Sequence, residues 1–121
     1  MLIDDTFERL HDSYIIGVEV DHLSEIVLLR MRFGDRLSTL EFRGAKRFLL
    51  TEMLMQNIVY EVKLLEPASA AYRDAVARLD QSYWKHDIAD MKIAFVTASL
   101  GVEIIIEYES ASKRVTGIRS A

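Results

Sequence analysis

The sequence predicts an α+β domain. Its sheet is mostly antiparallel, with about six strands curling toward a barrel, and one long helix lies between strands four and five. Three observations carry this. Apolar and polar residues alternate with the period of a half-buried strand over most of the chain. The period changes to helical spacing just after Pro67, the only proline. The links between alternating stretches have hairpin length, which favours antiparallel pairing.

Tyr14, Ile16, Val18 and Val20 alternate with Ile15, Gly17, Glu19 and Asp21 in a first strand. Val27, Leu29, Met31 and Phe33 do so with Ile26, Leu28, Arg30 and Arg32 in a second. Asp21-His22-Leu23-Ser24 suits the turn between them, because Asp and Ser side chains bond nearby backbone. Gly34-Asp35 supplies another turn, and residues 37–43 a third strand with Leu40 and Phe42 inward. Gly44 marks a bend. Phe48–Met55 is apolar but irregular, a short strand or a turn of helix. A fourth strand opens at Asn57, with Ile58, Tyr60, Val62 and Leu64 facing opposite to Val59 and Leu65.

Pro67 suits a first helical turn. Ala68, Tyr72, Ala75, Val76, Leu79 and Tyr83 follow as one apolar stripe, so the helix is placed over 67–84, with an outer Asp74–Arg78 pair. Strands over 92–98 and 102–109 flank the turn Ser99-Leu100-Gly101. Residues 110–121 are small and polar, a frayed tail or a weak edge strand. One helix covers only part of one face. Ile15, Ile26, Leu28, Val59, Leu65 and Ile105 need other cover: closure of the sheet, the Phe48–Met55 segment, or a second subunit.

Composition narrows the function. With 121 residues, half of them apolar, the chain makes a single domain with a real core. Fifteen Lys+Arg against 19 Asp+Glu give a net charge of −4, which argues against non-specific nucleic-acid binding. The absence of cysteine removes disulfides, thiol nucleophiles and Cys-ligated metals, and fits a reducing compartment. No apolar run reaches the length of a membrane span or a secretion signal. A cytoplasmic protein beginning near Met1 is expected.

His11-Asp12-Ser13, a strand ending near Asp21, then Leu40-Glu41-Phe42-Arg43-Gly44-Ala45 and Gln56-Asn57-Ile58 occur in order. In this the first half of the chain resembles a largely uncharacterised group of small bacterial β-rich proteins that open with a His-Asp-Ser or His-Asp-Ala signature. Some similar proteins are proposed as immunity proteins against contact-dependent toxins. The resemblance implies a dedicated binder and carries over no active site.

His-Asp occurs twice, at His11-Asp12 and His86-Asp87, with Asp90 nearby; imidazole and carboxylate are suitable metal ligands. A third well-spaced ligand is missing, so a local backbone-bonding role is favoured and no metal or cofactor is expected. Ser110-Ala111-Ser112-Lys113 matches Ser-x-x-Lys but lacks the helix start that such catalysis needs. Asp4, Asp5, Glu8 and Asp12 read as a solvated first helical turn with Phe7 and Leu10 inward.

The favoured function is a non-enzymatic protein-interaction module, of which an immunity-type inhibitor is one form. The expected partner-binding residues are Glu103, Glu107 and Glu109, facing a basic surface, with Ile105 and Trp84 as apolar anchors. Ile26, Leu28 and Ile105 on one face also predict a homodimer. The alternatives are a small enzyme using His11, Asp12, His86 and Asp87, and a ligand-binding curled sheet.

Overall fold

The computed structural model describes residues 5–84 and 91–118. The described chain runs β1 Tyr14–Asp21, β2 Ile26–Phe33, β3 Arg36–Arg43, β4 Arg47–Thr51 and β5 Ile58–Leu64, then α1 Ala70–Ser82, β6 Lys92–Leu100, β7 Glu103–Tyr108 and β8 Ser110–Ile118. The strands form one antiparallel sheet in the order β4-β7-β6-β5-β1-β2-β3-β8. The sheet is not closed into a barrel; β4 and β8 are its ends.

This corrects the expected fold in three respects. Among the described residues there are eight strands in place of about six, the helix is shorter, and it follows the fifth strand instead of the fourth. β4 was ambiguous in sequence because both its faces are apolar. Phe48 and Leu50 pack on the main core while Leu49 packs beneath the helix. β8 was obscured by its polarity, which suits an edge strand. It pairs with β3 from Arg43↔Ser110 to Arg36↔Ile118.

The helix has 13 residues because its caps lie inside the expected span. Ser69 is the N-cap: its Oγ accepts the Tyr72 N–H at 3.1 Å and donates to the Glu66 carbonyl at 2.6 Å. Pro67 thus precedes the cap. Tyr83 leaves the helix in an extended conformation, with its N–H donating to Leu79 O at 2.9 Å. Arg78 reaches Glu103 at 3.5 Å.

The sheet folds over at the join between β5 and β1, where the ladder is one pair long, Tyr14↔Ile58. Bulges flank that pair, at Ile16 in β1 and around Tyr60 in β5. A bulge adds a residue and flips the alternation beyond it. Ile15 and Val18 therefore both reach the core, as do Val59 and Val62. Ile15 and Val59, expected on the second face, belong to the main core for this reason. That core joins Val27, Leu29, Met31, Leu40 and Phe42 of β2 and β3 to Val96, Ile104 and Ile106 of β6 and β7. On the other face of β6 and β7, α1 covers Ile93 and Ile105 with Ala75 and Leu79, and Leu65 completes the cluster.

Residues 5–13 form turns, with Arg9 and Asp12 at φ 60° and 67°, in place of the expected helical turn. Phe7 and Leu10 do point inward, and the Phe7 ring stacks on Phe42 at 5.9 Å. In the β1–β2 turn the Ser24 N–H donates to the Asp21 carboxylate at 3.1 Å and holds that carboxyl below its usual range.

Ending the chain after Ser110 strips β3 of its outer partner and removes Ala111 from the core margin. The truncated protein is expected to melt lower by on the order of 10 °C or to be insoluble. Thermal denaturation coincident with that of the full chain would show β8 to be dispensable.

Candidate functional site

Of the five residues expected to bind a partner, two lie inside the protein. Ile105 is 1% exposed beneath α1. The Glu107 side chain is 3% exposed and receives Arg47 in a two-pronged pair, Nε to Oε1 at 3.1 Å and Nη2 to Oε2 at 2.9 Å. Arg47 Nη1 also donates to Asp80 of the helix at 2.6 Å. Glu107, and after it Asp80, hold the guanidinium above its ordinary value against the opposing effect of burial. Glu103 meets Arg78, and Glu109 lies against Gly44, where a Cβ would collide with it. The three glutamates therefore form no continuous acidic row. Trp84 is exposed at the end of α1. Ile26 and Leu28 are half-buried on β2, in the other half of the sheet from Ile105, so the three make no common patch.

The Arg47 cluster ties α1 to β4 and β7. Tyr83 adds a second tie: its hydroxyl donates to the Phe48 carbonyl at 2.6 Å and accepts the Phe48 N–H at 3.2 Å. This occupies outward-facing backbone of an end strand. Both features hold the helix in place, and neither presents a reacting group to solvent.

His11 sits at a corner. Its Nδ1 lies 2.8 Å from the Tyr60 carbonyl at the β5 bulge, and its ring stands edge-on to Tyr60 at 5.4 Å. Asp12 donates its N–H to Val59 O at 2.8 Å, and the Val59 N–H donates to Ser13 O at 2.8 Å. The His-Asp-Ser run thus laces the chain to β5 before β1 begins. His86, Asp87 and Asp90 lie outside the described residues. Among the described residues, no three His, Asp or Glu side chains converge as a metal site. Ser110 and Lys113 stand on a strand, where residues three apart point to opposite faces.

The strongest candidate for binding is a cleft of about 380 Å³ where β1 passes the β4–β5 loop. Tyr14, Ile15, Ile16, Gly17 and Arg32 form one wall, and Met53 to Asn57 the other. Ile16, Met53 and Leu54 are about half exposed, and Met55 is 99% exposed. Such a run of exposed large apolar side chains is uncommon on a soluble domain unless something covers it.

The loop that carries these residues is braced. Asn57 is buried, and its Oδ1 accepts the Leu54 and Val102 N–H groups, each at 3.0 Å. Its Nδ2 donates to Leu54 O at 2.7 Å. Gly101, at φ 88°, passes so close that a Cβ there would collide with Asn57 Oδ1. Glu52 takes a left-handed φ of 62° as the chain leaves β4. Arg32 is the one charged residue among the described residues that line the cleft; its guanidinium stands over the Tyr14 ring, 6.0 Å from the centroid, and forms no ion pair with a described carboxylate. No protein-family model matches the chain, and no curated protein matches it.

Sequence reading missed this cleft because it depends on the β1 bulge and on Asn57, which looked like the plain start of a strand. The signal present in sequence was Met53-Leu54-Met55, three large apolar residues with no alternation and no helical stripe.

Two substitutions test the framework. Asn57→Ala removes a buried side chain with three hydrogen bonds and strands the Val102 N–H; a loss of about 2–4 kcal/mol in urea unfolding is expected. Arg47→Met takes the two-pronged Arg47 contact from buried Glu107 and is expected to cost about 3–5 kcal/mol. Adding Glu107→Leu should recover most of that loss. A double variant no more stable than Arg47→Met would show that Glu107 needs no counter-charge.

Proposed function

We propose that the protein is a non-enzymatic protein-interaction module, and that its partner seats apolar side chains in the cleft between β1 and the Met53–Asn57 loop. The observation that carries this is Met55, fully exposed at the tip of a loop anchored by a buried asparagine. A loop built only to connect two strands needs no apolar tip; one built to bind gains from it. Methionine suits the task because its flexible thioether adapts to irregular surfaces.

The mechanism is stoichiometric occupation. Met53, Leu54, Met55 and Ile16 supply contact area, and Arg32 orients the partner. A dedicated inhibitor of the immunity type is one form of this function, and a cytoplasmic setting goes with it, supported by the absence of cysteine. No helix of the described chain is long and apolar enough to cross a membrane.

Affinity capture from the source cell, comparing the natural chain with Leu54→Asp and Met55→Glu, tests the reading. The expected result is a species retained in near-equal amount by the natural chain and lost by both variants while their melting temperatures stay unchanged. A second copy of this chain as that species makes the protein a self-associating module. Capture that is indifferent to both substitutions would overturn the cleft as the binding face.

A further inference from the structure

We infer that the partner enters this cleft as an extended strand, added along the open edge of β1 from Gly17 to Asp21, with a carboxylate set against Arg32. The inference rests on the interaction reading above and specifies its chemistry.

The edge is open because the β5–β1 ladder stops after Tyr14↔Ile58. The Ile15 N–H still donates to Asn57 O at 2.8 Å. Beyond it, β1 has no strand on that side among the described residues, while its other side stays paired with β2 through Asp21↔Ile26. Glu19, Val20 and Asp21 are exposed. A strand in this state offers a row of main-chain donors and acceptors to an incoming segment, and strand addition of this kind is a recurring mode of peptide recognition.

The two ends of the sheet order are guarded, and this edge is not. β8 carries Lys113 and Arg114, and Lys113 Nζ donates to the Glu8 carbonyl at 3.1 Å, tying the N-terminal turns down beside it. β4 is five residues long, and Tyr83 occupies the Phe48 groups. The β1 edge has neither cation nor proline. It bears Ile16 and Val20 instead, 52% and 55% exposed; Ile16 lines the cleft with Met53 to Met55, and Val20 lines the neighbouring hollow with Phe48 and Tyr83.

Charge selects the occupant. Arg32 stands over the Tyr14 ring and has no carboxylate partner among the described residues, so the complementary group is an acid. The acids of β1 are engaged: Glu19 accepts Arg30 Nη2 at 3.3 Å, and Asp21 accepts the Ser24 N–H. A second copy pairing through the same edge would set Glu19 and Asp21 of each copy close to those of the other, so a partner that places its own acid at Arg32 fits better. The expected segment alternates apolar residues with polar ones and carries an Asp or Glu at fixed spacing from an apolar anchor.

Selection from a displayed random library of peptides about 12 residues long tests this on the full-length protein. Enriched peptides are expected to show the apolar–acidic pattern and to bind Arg32→Gln about tenfold more weakly or worse. In the complex, the amides of Gly17–Asp21 should gain protection from hydrogen exchange. Absence of enrichment over the same library panned on Leu54→Asp would overturn the inference. So would peptides without acids that ignore Arg32→Gln, or protection that leaves Gly17–Asp21 unchanged. If a cellular partner is nonetheless lost with Leu54→Asp, the interaction reading stands and only the strand mode falls.

Discussion

Between β5 and β1 the ladder narrows to one residue pair, and most of the architecture follows from how the chain is held there. His11 bonds the Tyr60 carbonyl, Asp12 bonds Val59, and Val59 bonds Ser13, so the corner before β1 is fastened to the β5 bulge. With Tyr14↔Ile58 as the last common pair, β1 is free to turn away from β5. That turn brings β2 and β3 over β6 and β7, so that Leu29, Leu40 and Phe42 meet Val96, Ile104 and Ile106. Each such side chain contributes roughly 1.5–3 kcal/mol when fully buried. Against that, the few ladder bonds forgone beyond Tyr14, each worth about 1 kcal/mol net, are a small cost. The same divergence leaves one side of β1 unpaired and opens the cleft beside it.

The opposite face of the sheet is handled differently. There the small cluster around Ile93, Ile105 and Leu79 lies beneath a single short helix, and charge sets the helix position. A buried ion pair is weak evidence for stability, since an apolar pair of similar volume often serves as well. Its use is directional: Arg47 reaches Glu107 on β7 and Asp80 on α1 at once, which fixes the helix over β4 and β7 in one register. The Tyr83 hydroxyl on Phe48 and the Tyr72 hydroxyl on the Met91 carbonyl add further directional ties.

Much of this was legible from the sequence, and the illegible parts share a cause. Alternation located β1, β2, β3, β5, β6 and β7, since each has long half-buried stretches. The Asp21–Ser24 turn followed from side-chain chemistry. β4 escaped because Phe48, Leu49 and Leu50 are buried on two faces at once. Ile15 and Val59 were placed on the wrong face because a bulge leaves no mark in the residue pattern. Glu107 looks like a surface acid in sequence, since nothing in its neighbours reveals Arg47, far away along the chain, as its partner. The cleft escaped for the same reason as the bulges, being a product of where alternation fails.

The bracing of the loop bears on the cost of the binding role proposed for it. Ordering one residue's backbone costs about 1–2 kcal/mol, and here that cost is met during folding. Asn57 fixes the loop with bonds to Leu54 and Val102, and Gly101 admits the close approach that makes them possible. What remains for an incoming partner is the immobilisation of a few side chains, each about 0.5–1.5 kcal/mol. Burying Met55, Leu54 and Ile16 at roughly 25 cal/mol per Å² offsets that cost. A flexible loop with the same apolar residues would lose much of this gain to ordering, and a rigid loop with a polar tip would have little to gain. A fixed backbone under an exposed methionine is therefore the arrangement that the proposed binding role would draw on.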